Sequence, residues 1–155
     1  MVSTHSASRQ TNTIRLGRTK LVSLLLHTMQ TKAINANTAP AASGGYSQAL
    51  EVHEAKRLLF ISGQVPESKA GSVPDGFPAQ AKLVWENVFA QLHAADMSAS
   101  NLVKVTTFLS SREYAIANRL ARQEALGNHA PALTVIITGI FDEQWLLEVE
   151  AIAAE

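Results

Sequence analysis

Two carboxylates stand two residues apart near the end of the chain, in LLEVEAIAAE, where Glu148 and Glu150 interrupt an apolar run. Side chains alternate between the two faces of a β-strand, so both carboxylates should lie on one face, opposite Leu147 and Val149. A carboxylate in a water-poor cleft can accept and return a proton during hydrolysis. The same alternation is typical of a strand with one solvated face, so the pattern by itself leaves both interpretations open.

Most other catalytic chemistries lack the residues that they need. The chain has no cysteine, which excludes a disulfide, a thiolate nucleophile and a thiolate metal site. Its five histidines, at 5, 27, 53, 93 and 129, show no ligand spacing, so we expect no metal site. Ser62 lies in SGQ rather than in a nucleophile elbow, and the isolated glycines form no phosphate-binding loop. Oxygen or nitrogen side chains must therefore carry any reaction.

The hydrophobic pattern from residue 30 onward predicts alternating strands and helices. Apolar residues recur at helical spacing over 77–95, and a second amphipathic pattern over 112–126 ends at Gly127, a typical helix stop. In the second helix we expect the inward residues to be Tyr114, Ala117, Leu120 and Ala121. β-Branched and alternating stretches predict a strand from about residue 30 and an antiparallel pair at 47–54 and 57–65, of which the second should be central in the sheet. They also predict three later strands, at 101–110, 132–140 and 145–153.

This order predicts an α+β fold, with a mixed sheet and two helices packed on one of its faces. At 155 residues the chain is long enough for one domain with a hydrophobic core. Helices on one face leave the other face of the sheet without a cover, so we expect copies of the chain to associate. No apolar run is long enough to span a membrane.

The charged residues are distributed unevenly along the chain. Residues 1–50 contain five basic residues and no acid, whereas the remainder contains eight basic residues and all thirteen acids. We interpret 1–28 as a basic Ser/Thr/Arg-rich leader, which could be a targeting presequence or an ordered or binding extension. It could also be an artefact of the assigned start site, because translation could begin at Met29. Residues 29–155 should form the single domain. Its acidic balance argues against nucleic-acid binding, and the composition fits a cytoplasmic protein, with organellar targeting by the leader left open.

Five stretches in order resemble the RidA (YjgF-type) family. They are NTAPAASGGYSQAL at 37–50, LLFISGQVP at 58–66, ENVFAQLHAADMSASNLVKVTTFLS at 86–110, HAPALTVI at 129–136 and EVEAIA at 148–153. The resemblance implies a chorismate-mutase-like (bacillus-type) fold and a homotrimer. It also implies hydrolysis of reactive imines or enamines in clefts between subunits, without a metal or an organic cofactor.

The same resemblance assigns roles to individual positions. Glu148 would be the catalytic acid–base group, and Tyr46, Ser62, Gly63 and Asn118 would line the cleft that binds a small metabolite. Three positions depart from the deaminating relatives. Leu133 replaces an arginine that holds the substrate carboxylate, Gly45 replaces the proline before Tyr46, and Val135 replaces a frequent cysteine.

Leucine cannot supply the donors of that arginine. Hydrogen bonds to a charged group are worth about 1.5 to 3 kcal/mol each, so losing a bidentate pair removes about 3 to 6 kcal/mol. The sequence therefore predicts poor activity on 2-imino acids. Arg112, Arg119 and Arg122 crowd the second predicted helix, and whether one of them replaces the missing arginine stays open.

Three functions are compatible with the sequence. The first is an imine or enamine deaminase dependent on Glu148, and the second is a trimer that binds a small ligand without converting it. The third, an RNA-cleaving translation inhibitor as described for some relatives, is disfavoured by the acidic body.

Overall fold

The structure is a computed structural model that describes residues 28–155, so the expectations for 1–27 lie outside the described residues. No helix in the described range is long and apolar enough to cross a membrane. The elements follow the predicted order. They are β1 (Gln30–Ile34), β2 (Ala49–His53), β3 (Leu58–Gln64), α1 (Phe77–Ala94), β4 (Leu102–Leu109), α2 (Ala115–Leu126), β5 (Ala132–Ile137) and β6 (Leu147–Ala154).

The main sheet has the strand order β3-β6-β4-β5. Strands β4 and β5 are parallel and are joined through α2, whereas β6 runs antiparallel to both of its neighbours. The predicted mixed sheet is therefore confirmed. Strands β1 and β2 form a separate antiparallel pair. The segment before β2 reaches the main sheet, since Ser47 bridges to Ala132 at the start of β5.

Both helices pack on one face of the main sheet, as predicted. The buried stripe of α1 faces the inward residues of β6 and β3. Pro78 favours the start of α1 because proline needs no N–H donor in the first turn. A 3-10 turn (Arg112–Tyr114) precedes α2, and Gly127 with a φ of 56° ends it, a conformation that glycine adopts readily. The core contains Val84, Trp85, Val88, Leu92, Val105, Leu109, Leu147, Val149 and Ala151.

Three details of the predicted fold are wrong. Strands 47–54 and 57–65 do not pair with each other, because β2 pairs with β1 and β3 pairs with β6. Strand β3 is an edge strand rather than a central one, and Phe60 is 70% exposed on it. Leu120 is 61% exposed rather than inward, and it borders a groove of about 530 Å³ between α1 and α2. Apolar composition indicates burial only on average, whereas sheet order depends on long-range contacts.

Candidate functional site

A bulge in β3 places Glu148 against Gly63. Between the pairs Ile61–Ala151 and Gln64–Val149, β3 contains one residue more than β6. The carboxylate of Glu148 occupies the space beside the Gly63 backbone, and a Cβ on residue 63 would lie 2.6 Å from the Glu148 carboxyl carbon. Only glycine leaves room for this approach. Ser62, Gly63 and Glu148 therefore form one group, the carboxylate cluster.

The Glu148 carboxylate is half-buried and has no hydrogen bond or ion pair with any residue in 28–155. It remains available to a water molecule or a ligand. Glu150 lies on the same face and is exposed, while Val149 is buried on the opposite face, as the alternation predicted. Strand β6 is internal to the sheet, because it lies between β3 and β4.

Glu150 contributes to a second depression on this uncovered face of the sheet, with a volume of about 380 Å³. Ser62, Lys104 and Thr106 also line it. Burial lowers the pKa of Lys104, and the nearby Glu150 carboxylate opposes that shift. The Lys104 ammonium donates a hydrogen bond to the hydroxyl of Thr134. The uncovered face thus combines carboxylates, hydroxyls and one partly desolvated cation.

A second polar group surrounds the turn before Tyr46. Gly44 and Gly45 have φ values of 89° and 74°, a region in which other residues are strained, and they direct the chain so that Ser47 reaches the main sheet. The Ser47 N–H donates to the Pro131 carbonyl (3.1 Å), and its hydroxyl donates to the Ala130 carbonyl (2.7 Å). These bonds hold Tyr46 beside the beginning of β5.

Helix α2 brings Asn118 and two arginines to the same turn. Asn118 is 2% exposed, and its Oδ1 accepts no hydrogen bond from the described residues. Arg122 lies one helical turn further on, is 4% exposed, and donates from Nη2 to the Gly44 carbonyl at 2.6 Å. The side chain of Arg119 also reaches Gly44. Gly44, Tyr46, Asn118, Arg119 and Arg122 form the arginine cluster.

Leu133 and Val135 point to the helix-covered face of the sheet. Leu133 pairs with Val105 and packs against the core, and Val135 pairs with the buried Thr107. Glu148 pairs instead with Phe108, which has the opposite side-chain orientation. Within one chain, the sheet therefore separates Leu133 from the Glu148 carboxylate.

The seven predicted site residues thus form two groups rather than one. Ser62 and Gly63 accompany Glu148, whereas Tyr46 and Asn118 lie with α2 near the start of β5, the strand of Leu133 and Val135. The sequence does not distinguish Arg122 from Arg112 and Arg119, and the burial of Arg122 was not predicted. Its spacing of four residues from Asn118 was the available signal, because residues at i and i+4 share a helix face. No group of three or more His, Cys, Asp or Glu side chains that could hold a metal ion occurs in the described part of the chain.

Comparison with known proteins agrees with this architecture. The sequence profile of the Endoribonuclease L-PSP family, which includes the RidA (YjgF-type) proteins, matches residues 36–155. The chain belongs to the RidA family. It is 35% identical over 130 residues to a RutC family protein of Pasteurella multocida, covering 81% of this chain and 98% of that protein. It is 32% identical over 127 residues to the 2-iminobutanoate/2-iminopropanoate deaminase of Rattus norvegicus, covering 80% and 90% of the two chains.

Solved structures of RidA relatives share the fold. A Rid family protein of unknown function from Yersinia pestis, YyfB, matches with a TM-score of 0.70 and 25% identity, covering 81% of this chain and 98% of that one. Escherichia coli TdcF with bound serine matches with a TM-score of 0.60 and 29% identity, covering 80% and 98%. The expected RidA fold is therefore confirmed.

Proposed function

We propose that this RidA protein hydrolyses a small reactive imine or enamine and releases ammonia, with Glu148 as the proton-transferring group. The observation that carries the proposal is the position of Glu148. Its carboxylate lies directly over Gly63 at a bulge and has no competing partner among residues 28–155. The deaminase name of the rat relative supports the same class of reaction.

In the proposed reaction, the Glu148 carboxylate takes a proton from a water molecule as the water oxygen attacks the imine carbon. Glu148 passes that proton to the imine nitrogen, which gives a neutral tetrahedral carbinolamine. Glu148 then takes the carbinolamine hydroxyl proton and transfers it to the amine nitrogen as the C–N bond breaks. Ammonia leaves with both water protons, the carbonyl product keeps the oxygen of the water, and Glu148 is again a carboxylate. An enamine enters the same sequence after it is protonated on carbon. The reaction consumes one water molecule and requires no oxidant or reductant.

We further propose that the active protein is a homotrimer with the site in a cleft between subunits. The separation of the two clusters by the sheet supports this arrangement, because a second chain can bring its arginine cluster to the carboxylate cluster of the first. The uncovered face that exposes Phe60 also supports association. The mass of the protein in solution, measured by light scattering, tests this point, and a monomer would contradict it.

The substrate preference follows from Leu133. A leucine cannot donate hydrogen bonds to a carboxylate, and this side chain packs against the core. We therefore propose that 2-iminobutanoate and 2-iminopropanoate are poor substrates, because in both the carboxylate is attached to the reacting carbon and needs a cation beside β5.

An ammonia-release assay tests the proposed reaction. The full-length chain is supplied with a panel of imines generated in the assay by an amine oxidase or an amino-acid oxidase. We expect Glu148→Gln to lower ammonia release by about 10²- to 10⁴-fold, the usual contribution of a positioned acid–base group. Glu150→Gln is the matched control, since it removes an exposed carboxylate from the same face. Equal rates for wild type and Glu148→Gln on every substrate would contradict the proposal.

A non-catalytic ligand-binding trimer is the second candidate. It is favoured by the lack of any described hydrogen bond that would fix the orientation of the Glu148 carboxylate. A thermal-shift screen of small metabolites distinguishes the two candidates. A ligand that stabilises the protein and is recovered unchanged, with no turnover across the imine panel, would support binding alone.

A further inference from the structure

Arg122 is a buried cation with few partners. Its side chain is 4% exposed, yet within the described residues only the bond from Nη2 to the Gly44 carbonyl satisfies it, and Nε has no acceptor. A guanidinium has five N–H donors, so most of its hydrogen-bonding capacity remains unused. A buried charge is normally paired with an opposite charge or with several hydrogen bonds.

Arg119 adds a second positive charge at the same place. Its Cδ and Nε would each lie 3.5 Å from a Cβ built on Gly44, so both arginines reach one turn. Burial lowers the pKa of Arg122, the neighbouring Arg119 lowers it further, and Tyr46 opposes the shift. No aspartate or glutamate in 28–155 forms an ion pair with either arginine. The cluster therefore contains two cations and no described counter-charge.

A purely structural role does not account for this arrangement. A single neutral donor would be enough to form one hydrogen bond to the Gly44 carbonyl. A buried guanidinium, by contrast, costs several kcal/mol of desolvation free energy unless an anion offsets that cost. The Arg119 side chain reaches the same turn and forms no hydrogen bond with the described residues. An oxyanion between the two guanidiniums would satisfy both and remove their repulsion.

Asn118 indicates what else such a ligand carries. Its Oδ1 is buried on the helix face that it shares with Arg122, and no donor in the described part of the chain reaches it. A carbonyl oxygen of this kind accepts from an N–H or O–H group. The cluster thus suits a molecule with an oxyanion and a nearby donor.

We infer that Arg119, Arg122 and Asn118 bind a small ligand that carries a carboxylate or phosphate oxyanion and an N–H or O–H donor. The cation that β5 lacks at residue 133 is supplied from α2. The arginines of α2 therefore hold an acid group at a different position from an arginine at residue 133. This position determines which acidic imines have their reacting carbon beside a carboxylate base. The inference rests on the proposed function for the imine class, but its test measures binding without turnover.

Calorimetric titration of the full-length chain with inorganic phosphate, and separately with butanoate, tests the inference. Sodium chloride at equal ionic strength controls for general screening. We expect saturable binding of at least one anion, weakened at least fivefold in Arg119→Gln and at least tenfold in Arg122→Met. Arg112→Gln should bind as wild type does, because Arg112 lies in the 3-10 turn before α2 and is exposed. The two anions distinguish a phosphate ligand from a carboxylate ligand.

Two further variants separate this inference from the proposed reaction. Glu148→Gln should bind the anion normally even though it loses ammonia release. If Arg122→Met does not fold, the exposed Arg119→Gln still decides the question. Anion binding that is absent, or that is unchanged in Arg119→Gln, would overturn the inference. A third outcome would also overturn the inference: both arginine variants lose the oligomer, and no anion binds. An acidic residue of a second copy would then be the counter-charge of the arginines.

Discussion

The carboxylate cluster and the arginine cluster hold their charges in opposite ways. At Gly63, the absence of a side chain lets the Glu148 carboxylate lie against the backbone, half-exposed and without a partner among residues 28–155. At Gly44, two guanidiniums converge on one turn, and Arg122 is almost completely buried. An unpaired group that remains half-exposed keeps part of its hydration, whereas a buried one does not. The carboxylate is thus accessible to water, and the inferred role of the arginines is to receive an anion.

This difference shows how a cleft site can be divided. Each cluster is anchored by its own backbone feature, a bulge for Glu148 and a double-glycine turn for Tyr46 and the arginines. Neither cluster requires the other in order to form. Substitutions can therefore affect the two clusters separately, and the resulting differences test the assignment of roles.

Gly63→Ala should give the largest effect. A methyl group there would overlap the Glu148 carboxylate and displace it, so we expect ammonia release to fall by about 10²- to 10⁴-fold, as in Glu148→Gln. Gly139→Ala is the matched control, because a Cβ on Gly139 meets nothing within 4 Å. Anion binding at the arginine cluster should not change. Near-normal turnover in Gly63→Ala would refute the importance of this close approach.

Leu133→Arg should produce a gain of function next in size. Restoring a bidentate carboxylate partner is worth about 3 to 6 kcal/mol, so we expect kcat/KM for 2-iminobutanoate to rise by about 10²-fold or more. Leu120→Arg, which adds the same charge at an exposed position of α2, should leave it unchanged. Equal kcat/KM values in wild type and Leu133→Arg would remove residue 133 from the substrate site.

Asn118→Leu should strengthen the fold while it weakens the arginine cluster. The substitution removes a buried oxygen that has no described partner, so we expect the free energy of unfolding in urea to increase by about 1 to 3 kcal/mol. The contrasting variant is Asn101→Leu, which should lower it, because Asn101 Nδ2 donates to the Ala154 carbonyl and Oδ1 accepts from the Ser98 N–H. Destabilisation by Asn118→Leu would indicate that the amide has a structural partner.

The smallest expected effect is on the pH dependence of stability, and it comes from Lys104 on the sheet face that carries Glu148. Burial lowers the pKa of Lys104 in the folded state below its ordinary value of 10.5, so the unfolded chain binds more protons between those two values. Stability should therefore rise with pH through that window and level off above 10.5. The Lys104→Met variant should lack this rise. The contribution of Lys104 is the difference between the two proteins in the free energy of unfolding in urea, measured at several pH values. Parallel pH profiles would show that Lys104 is fully hydrated.

Local patterns predicted the helices and strands well because these elements follow from the period of the apolar residues. The helix over 77–95 and the strand of Glu148 both match, since each buries one face of a regular repeat. The edge position of β3 and the exposure of Leu120 were not predicted, because both depend on which distant element covers a residue. Arg122 illustrates the same limit, as an arginine in an amphipathic helix is usually solvated.

The sequence by itself determined the order of elements, the RidA resemblance and the position of Glu148 on a strand face, because these depend on residue type and spacing. The tertiary structure alone decided that Gly63 lies beneath the Glu148 carboxylate, that Leu133 faces the opposite side of the sheet, and that Arg122 is buried against Gly44. The two contacts join residues that are 78 and 85 positions apart, whereas Leu133 and Glu148, which the sheet separates, are only 15 apart. Such contacts depend on strand register and on a bulge, which no local periodicity encodes.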